Sequence, residues 1–177
     1  MSKPRLISEP RVGKNSFVDV SAILVGDVVI GDHSSVWPHT VLRGDICKIV
    51  LGQYTNIQDL SVLHVDRDQP CVVGDHVTVG HRVILHACTI GNQTLIGMGS
   101  IVLSGAKIEE RVMLGAGSLV PENKVLESGF LYYGSPVKKI RELTQEEMDY
   151  NLQWAKRYAE LAQKHLAGQY GRIGLTT

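Results

Sequence analysis

Cysteine is scarce in this 177-residue chain: Cys47, Cys71 and Cys88 are an odd number with no close pair. That excludes a disulfide framework as the source of stability and suits a reduced compartment. An excess of charge is missing as well. Eighteen basic residues balance eighteen acidic ones, so nothing in the charge balance points to nucleic acid or an anionic membrane as a partner. No apolar run is long enough to span a bilayer, and no segment after the start resembles a signal peptide. The cytoplasm is therefore the expected location. A phosphate-binding loop is absent too, because Gly97-Met98-Gly99 and Gly115-Ala116-Gly117 lack a third glycine and open no helix.

What the chain has instead is a period of six. From Ile90 an aliphatic residue recurs through Ile96, Val102, Ile108, Leu114 and Val120, and the same step runs through Val12, Val18, Leu24, Ile30, Val36 and Leu42. It resumes at Leu51, Ile57 and Leu63 and again at Val73, Val79 and Leu85. No helix has this period; it marks a parallel β-helix. Each hexad supplies a short strand and a turn, and three hexads close one triangular coil whose aliphatic residues stack on those of the next. The fold class expected is mainly β, a β-helix of about six coils over residues 1–137, with a helical appendage over 138–177.

The pattern breaks in three places. The step from Leu42 to Leu51 is nine, from Leu63 to Val73 ten, and from Leu85 to Ile90 five. The ten-residue step carries Asp66, Arg67, Asp68 and Pro70, which read as a solvated turn. Ser135-Pro136 ends the β-helix. Thr144 and Glu147 then form a capping box with Leu143 stapled to Met148, and Met148, Leu152, Ala155, Ala159, Ala162 and Leu166 follow helical spacing. Gly168 is the expected stop. The helix is expected to pack along the coils, with a loose tail from Gln169 to Thr177.

These breaks cluster around histidines. His64 follows Leu63 and His86 follows Leu85, so once the insertion is removed they stand one coil apart in one column, about 4.8 Å between backbones. Arg43, following Leu42, belongs to the same ladder. His81 lies two residues past Val79 on the preceding side, up to about 16 Å from His86 along an extended chain. Ligands of one zinc lie about 2.0 to 2.1 Å from it, so a single chain cannot easily gather all three. A second copy could supply His81 to the His64–His86 pair of its neighbour, and a triangular prism suggests three copies closing as a ring. Neutral imidazoles suit zinc, and iron or cobalt fit the same ligands. Asp59 sits beneath His81, with Gln58 and Asn56 beside it and Asp45 near Arg43. His33, His39, His76 and His165 read as surface or hydrogen-bonded residues. A thiolate ligand from Cys47 or Cys88 is a lesser option.

Arg43-Gly44-Asp45, Asn56-Ile57-Gln58-Asp59, His64, the block from Val79 to Gly91 with His81 and His86 five apart, and Gly134-Ser135-Pro136 together resemble the γ-class carbonic anhydrases and their short bacterial relatives. The resemblance covers nearly the whole chain from Val12. It implies a left-handed β-helix, a homotrimer, and zinc sites between subunits built from His64 and His86 of one chain and His81 of the next. Carbon dioxide and bicarbonate would be the substrate pair. Gln58, supported by Asn56, would orient the reacting water or substrate; Arg43, Asp45 and Asp59 would serve at the interface and on the bicarbonate side. Tyr132 or Tyr133 would reach the site as a tyrosine does in some relatives. The chain departs from the archetype where it holds Ile46 and Arg67 in place of proton-shuttling glutamates. Other hexapeptide proteins imply alternatives: a metal-dependent acyl-CoA thioesterase, an acyltransferase with a single histidine base, or a catalytically silent trimer held by metal.

Overall fold

The structure, a computed structural model, describes residues 8–173. Its sequence hexads become short parallel strands, often only two residues long, wound into a solenoid. The aliphatic residues of the repeat fall into three columns. Leu24, Leu42, Leu63, Leu85, Val102 and Val120 are partners in successive coils. Val18, Val36, Ile57, Val79, Ile96, Leu114 and Tyr132 make the second column. Val12, Ile30, Leu51, Val73, Ile90, Ile108 and Leu126 make the third. From Leu42 to Val120 the first column is wholly buried, and each such leucine contributes roughly 1.5–3 kcal/mol of transfer free energy.

The solenoid has about seven turns rather than six. Leu126, Tyr132 and Val137 belong to the hydrophobic core beyond Val120. Tyr132 fills an aliphatic slot and Val137 arrives one residue early, so this last turn does not carry the regular pattern.

The irregular steps have distinct solutions. The nine-residue step is taken up within one strand: Val41–Leu51 pairs with Ile23–Gly26 through Gly44 and with Val28–Ile30 from Ile49, Asp45–Lys48 bulging opposite Asp27, and on its other side it pairs with Val62–His64 and then Cys71–Val73. Gly26 permits this, since its φ is +78° and a Cβ there would lie 2.2 Å from the Gly44 carbonyl oxygen. The ten-residue step forms an exposed turn closed by mutual Asp66 and Gln69 backbone hydrogen bonds of 3.1 Å. In the five-residue step Ala87 takes the corner with φ 45° and Cys88 points inward. Many corners elsewhere are held by non-glycine residues at positive φ, His33, His39 and His76 among them, and others by Gly99, Gly105, Gly117 and Gly129.

The helix spans Gln145–Leu166. Thr144 Oγ1 accepts from the Glu147 N–H at 3.2 Å, and the Glu147 carboxylate accepts from the Thr144 N–H at 3.0 Å. Arg141 clasps the same carboxylate at 2.8 and 2.7 Å. These contacts, Arg141 first and the cap second, pull the Glu147 carboxyl down to about 2. Its stabilising contribution is thus complete above the ordinary carboxylate range and fades as pH falls through about 2. Thr144→Ala should cost about 1 kcal/mol, read as a lowered urea midpoint. Asn151, Ala155, Ala159 and Ala162 form the buried face. The alanines let the helix lie close on the strands Phe17–Val18, Ser35–Val36, Asn56–Ile57 and Thr78–Val79. Leu166, expected on that face, is instead exposed, and Met148 and Leu152 are only half-buried. Gly168 ends the helix at φ +67°.

The tail departs from the expected looseness at Arg172, whose guanidinium grips the buried Asp19 carboxylate with both terminal nitrogens. Residues 174–177 of that tail lie outside the described ones. Among the described residues, no helix is long and apolar enough to cross a membrane.

Candidate metal centre

The register places Arg43, His64 and His86 as direct partners in three successive coils. Because the side chains of one column leave the solenoid in the same direction, His64 Nδ1 and His86 Nε2 come to 3.2 Å. Both rings have a second contact. His64 Nε2 lies 3.2 Å from Asp45 Oδ1, and His86 Nδ1 lies 2.8 Å from Ser104 Oγ. Arg43 Nη1 donates to the other Asp45 oxygen at 2.6 Å. That bond, and the His64 contact after it, hold the Asp45 carboxyl below its ordinary value. An ionised carboxylate only accepts, so His64 carries its proton on Nε2 and turns the Nδ1 lone pair toward His86.

His81 stands apart from this pair. Among the described residues, no three His, Cys, Asp or Glu side chains of the one chain gather into a metal cage. The His81 ring is half-exposed, and its Nδ1 lies 2.8 Å from Asp59 Oδ2 in the coil below. The same logic puts the proton on Nδ1 and leaves Nε2 free to bind outward. Beside it, Gln58 is buried: its Nε2 donates to Asn56 Oδ1 at 3.1 Å, and Asn56 Nδ2 donates to Thr78 Oγ1 at 3.0 Å. This chain of amides fixes Gln58 and, among the described residues, leaves its Oε1 without a donor.

The profile of the bacterial transferase hexapeptide family (six repeats) matches residues 9–44 and 87–122. A carbonic anhydrase of Geobacillus kaustophilus is 42% identical over 163 residues, covering 92% of this chain and 90% of that protein. The chain belongs to the γ-class carbonic anhydrase family. The mitochondrial γ carbonic anhydrase 1 of Arabidopsis thaliana is 43% identical over 164 residues, which are 89% of this chain. This chain matches 60% of that plant relative's length. The crystal structure of a hexapeptide transferase family protein from Anaplasma phagocytophilum superposes with a TM-score of 0.85 at 46% identity, covering 88% of this chain and 92% of that one.

Within this γ-class chain, Tyr132 does not reach the histidines. It is 3% exposed, points into the core above Leu114, and its hydroxyl accepts from the Glu127 N–H at 2.9 Å. Aliphatic register carries it inward. Tyr133 points outward in the column of Gln58, but Gly80, Gly97 and Gly115 lie between them, a separation of about 19 Å at strand spacing. Cys88 is no ligand either: contact with Cys71, and burial after it, push its thiol well above the ordinary value. Ile46 and Arg67 are exposed.

Three side chains were not evident from the repeat. Ser104 reaches His86 from the coil above, across the shortened step. Trp154 and Tyr158, on the helix, border the glycine column and form with it an open groove of about 460 Å³ whose lining includes Gln58, Thr78 and His81. Burial, and the Asp59 charge after it, push the Tyr158 phenol up, so it keeps its proton.

Proposed function

We propose that this chain is a zinc-dependent carbonic anhydrase of the γ class, interconverting carbon dioxide and bicarbonate at sites shared between the subunits of a homotrimer. The observation that carries the reading is the pair of nitrogens on His64 and His86, 3.2 Å apart. Two nitrogens about 2.0 to 2.1 Å from one tetrahedral zinc stand roughly 3.3 Å apart. The donors therefore fit the ion, and the remaining nitrogen of each histidine has the carboxylate or hydroxyl partner that orients metal-ligating imidazoles. His81 of a neighbouring subunit would supply the third donor. Iron or cobalt would fit the same set.

A homotrimer is supported by the outer face next to the pair. Ile23, Val41, Val62, Ile84, Ile101 and Leu119 are partners coil after coil, and Ile23, Val62 and Ile84 are 54%, 38% and 40% exposed. A continuous apolar stripe of this kind marks an interaction face.

Zinc, when bound, supplies a Lewis acid that brings the acidity of water toward neutrality. The chain's own residues do the rest. Gln58 Oε1 accepts a hydrogen from the attacking water, which aims an oxygen lone pair at the carbon dioxide carbon. The carbon–oxygen bond forms, one carbonyl electron pair moves to oxygen, and a proton is released with bicarbonate. Arg43, held by Asp45, balances the anion's charge. With Ile46 and Arg67 at the places of shuttling acids, the proton leaves to buffer. Hydration at saturating carbon dioxide should accordingly rise with imidazole concentration over a range where pH is constant; a flat response would show an internal shuttle.

Stopped-flow carbon dioxide hydration, with metal analysis after anaerobic purification, tests the reading. About one metal per chain and measurable hydration are expected; trace metal, or a loaded protein that does not hydrate, overturns it. Asp59→Asn should weaken zinc binding about 10- to 100-fold, measured by competition with a chelator, because His81 loses the partner that fixes its tautomer.

A further inference from the structure

The groove is far larger than carbon dioxide needs. Its 460 Å³ lies within the roughly 300–1,000 Å³ of pockets that enclose drug-sized ligands, whereas carbon dioxide has three heavy atoms. Its shape follows from the register. Gly80, Gly97 and Gly115 succeed one another above Gln58, so the floor is backbone for about 10 Å at strand spacing, up to where the Tyr133 ring lies against Gly115. Met113 and Met98 flank it, and Trp154 with Tyr158 roofs it. The polarity is lopsided: the polar groups of Gln58, Thr78 and His81 stand at one end, and the rest of the lining is aliphatic side chain, methionine or glycine under the two aromatic rings, whose Tyr158 hydroxyl and Trp154 N–H are its other side-chain polar groups.

We infer that this groove is a second subsite, binding the apolar tail of an uncharged carbonyl compound whose carbonyl lies at the Gln58–His81 end. A charged head fits less well, because Asp59 already sets a negative charge against His81 and the Gln58 side chain is neutral. A polar tail would lose its water to glycine, methionine and indole and gain few partners. Methionines suit a tail of variable shape, since their flexible thioethers adapt to what they cover. The placement of the carbonyl rests on the metal-centre reading above; the binding of the tail does not.

Trp154 makes the test direct. The chain has two tryptophans; Trp154 lines the groove, whereas Trp37 is buried against Phe17 and His165 and meets the groove only through the edge of Tyr158, so the Trp154→Phe variant is titrated alongside to isolate the Trp154 signal. Protein stripped of metal with EDTA is titrated with methyl alkyl ketones, which carry the carbonyl and tail but cannot be hydrolysed. Saturable quenching is expected, with binding about three- to fourfold tighter for each added methylene from methyl propyl to methyl heptyl ketone. Ala116→Phe, exposed in the single chain two coils above His81, should weaken methyl heptyl ketone at least tenfold while leaving both the unfolding midpoint and the sedimentation coefficient unchanged. Met113→Gln, similar in size but polar, should weaken it about tenfold. Trp154→Phe should remove most of the signal and leave only what Trp37 senses through Tyr158. No saturation, affinity independent of chain length, or full binding in both groove variants would overturn the inference. Loss of hydration with ketone binding intact would instead sink only the carbonic anhydrase reading.

Discussion

Replacing His81 by alanine should reduce bound zinc to background and lower carbon dioxide hydration at least a hundredfold, without unfolding the chain. The magnitude has a lower bound: disturbing a partner of a zinc ligand already costs about 10- to 100-fold, and removing the ligand costs more. Stability should change by no more than about 0.5 kcal/mol in metal-free protein. His81 is a half-exposed corner residue whose hydrogen-bonding partner in the chain is Asp59, itself open to solvent. Metal-loaded protein will differ, since wild type gains the linkage stabilisation of the ion and the variant does not. Inductively coupled plasma analysis and stopped-flow assays on the same preparation read both effects.

Mixing variants tests whether the centre is shared. A chain carrying His81→Ala retains His64 and His86; a chain carrying His64→Ala and His86→Ala retains His81. If each centre takes its pair from one subunit and its third ligand from the next, refolding the two inactive chains together regenerates intact sites wherever they adjoin in the right order. In an equal mixture about a quarter of the interfaces meet that condition, so hydration should return to about a quarter of wild type. A centre contained within one chain would give no recovery.

Much of this arrangement was legible from spacing. A hexad's aliphatic residue has one way to be buried, so removing the insertion between Leu63 and Val73 sufficed to pair His64 with His86, and Asp59 with His81. The three columns of the core followed from the same count. What escaped depended on contacts that spacing does not encode. Tyr132 occupies an inward slot, and only the register to Leu114, carried past Val120 where the aliphatic pattern lapses, would have placed it there. Ser104 reaches His86 because the five-residue step reshapes one corner. The helix buries Asn151 rather than Leu166, since its small alanines, and not its larger residues, decide which face can approach the coils. The groove exists because a glycine column in one part of the chain lies under Trp154 and Tyr158 from another.

Ile84 and Leu85 are neighbours on opposite faces of one strand, and their substitutions should fail in different ways. Leu85 is 0% exposed and stacks between Leu63 and Val102. Leu85→Ala should destabilise the chain by about 2–5 kcal/mol, seen as a lower urea midpoint with an unchanged slope. The rigid solenoid cannot collapse around the void without shifting adjacent coils, and His86 follows directly, so metal affinity should fall with stability. Ile84 is 40% exposed on the outer apolar stripe, between Val62 and Ile101. Ile84→Asp leaves the core intact, so the intrinsic stability of the separated chain should change by no more than about 0.5 kcal/mol, while the stabilisation that assembly and metal add is lost. A carboxylate on a face that must meet an apolar neighbour is desolvated without a partner, so sedimentation should find single chains. Hydration should vanish although every chain still carries His64, His81 and His86, because in the proposed centre the third ligand comes from the neighbouring subunit. Trimers that survive Ile84→Asp with activity would place the contact between subunits on another face.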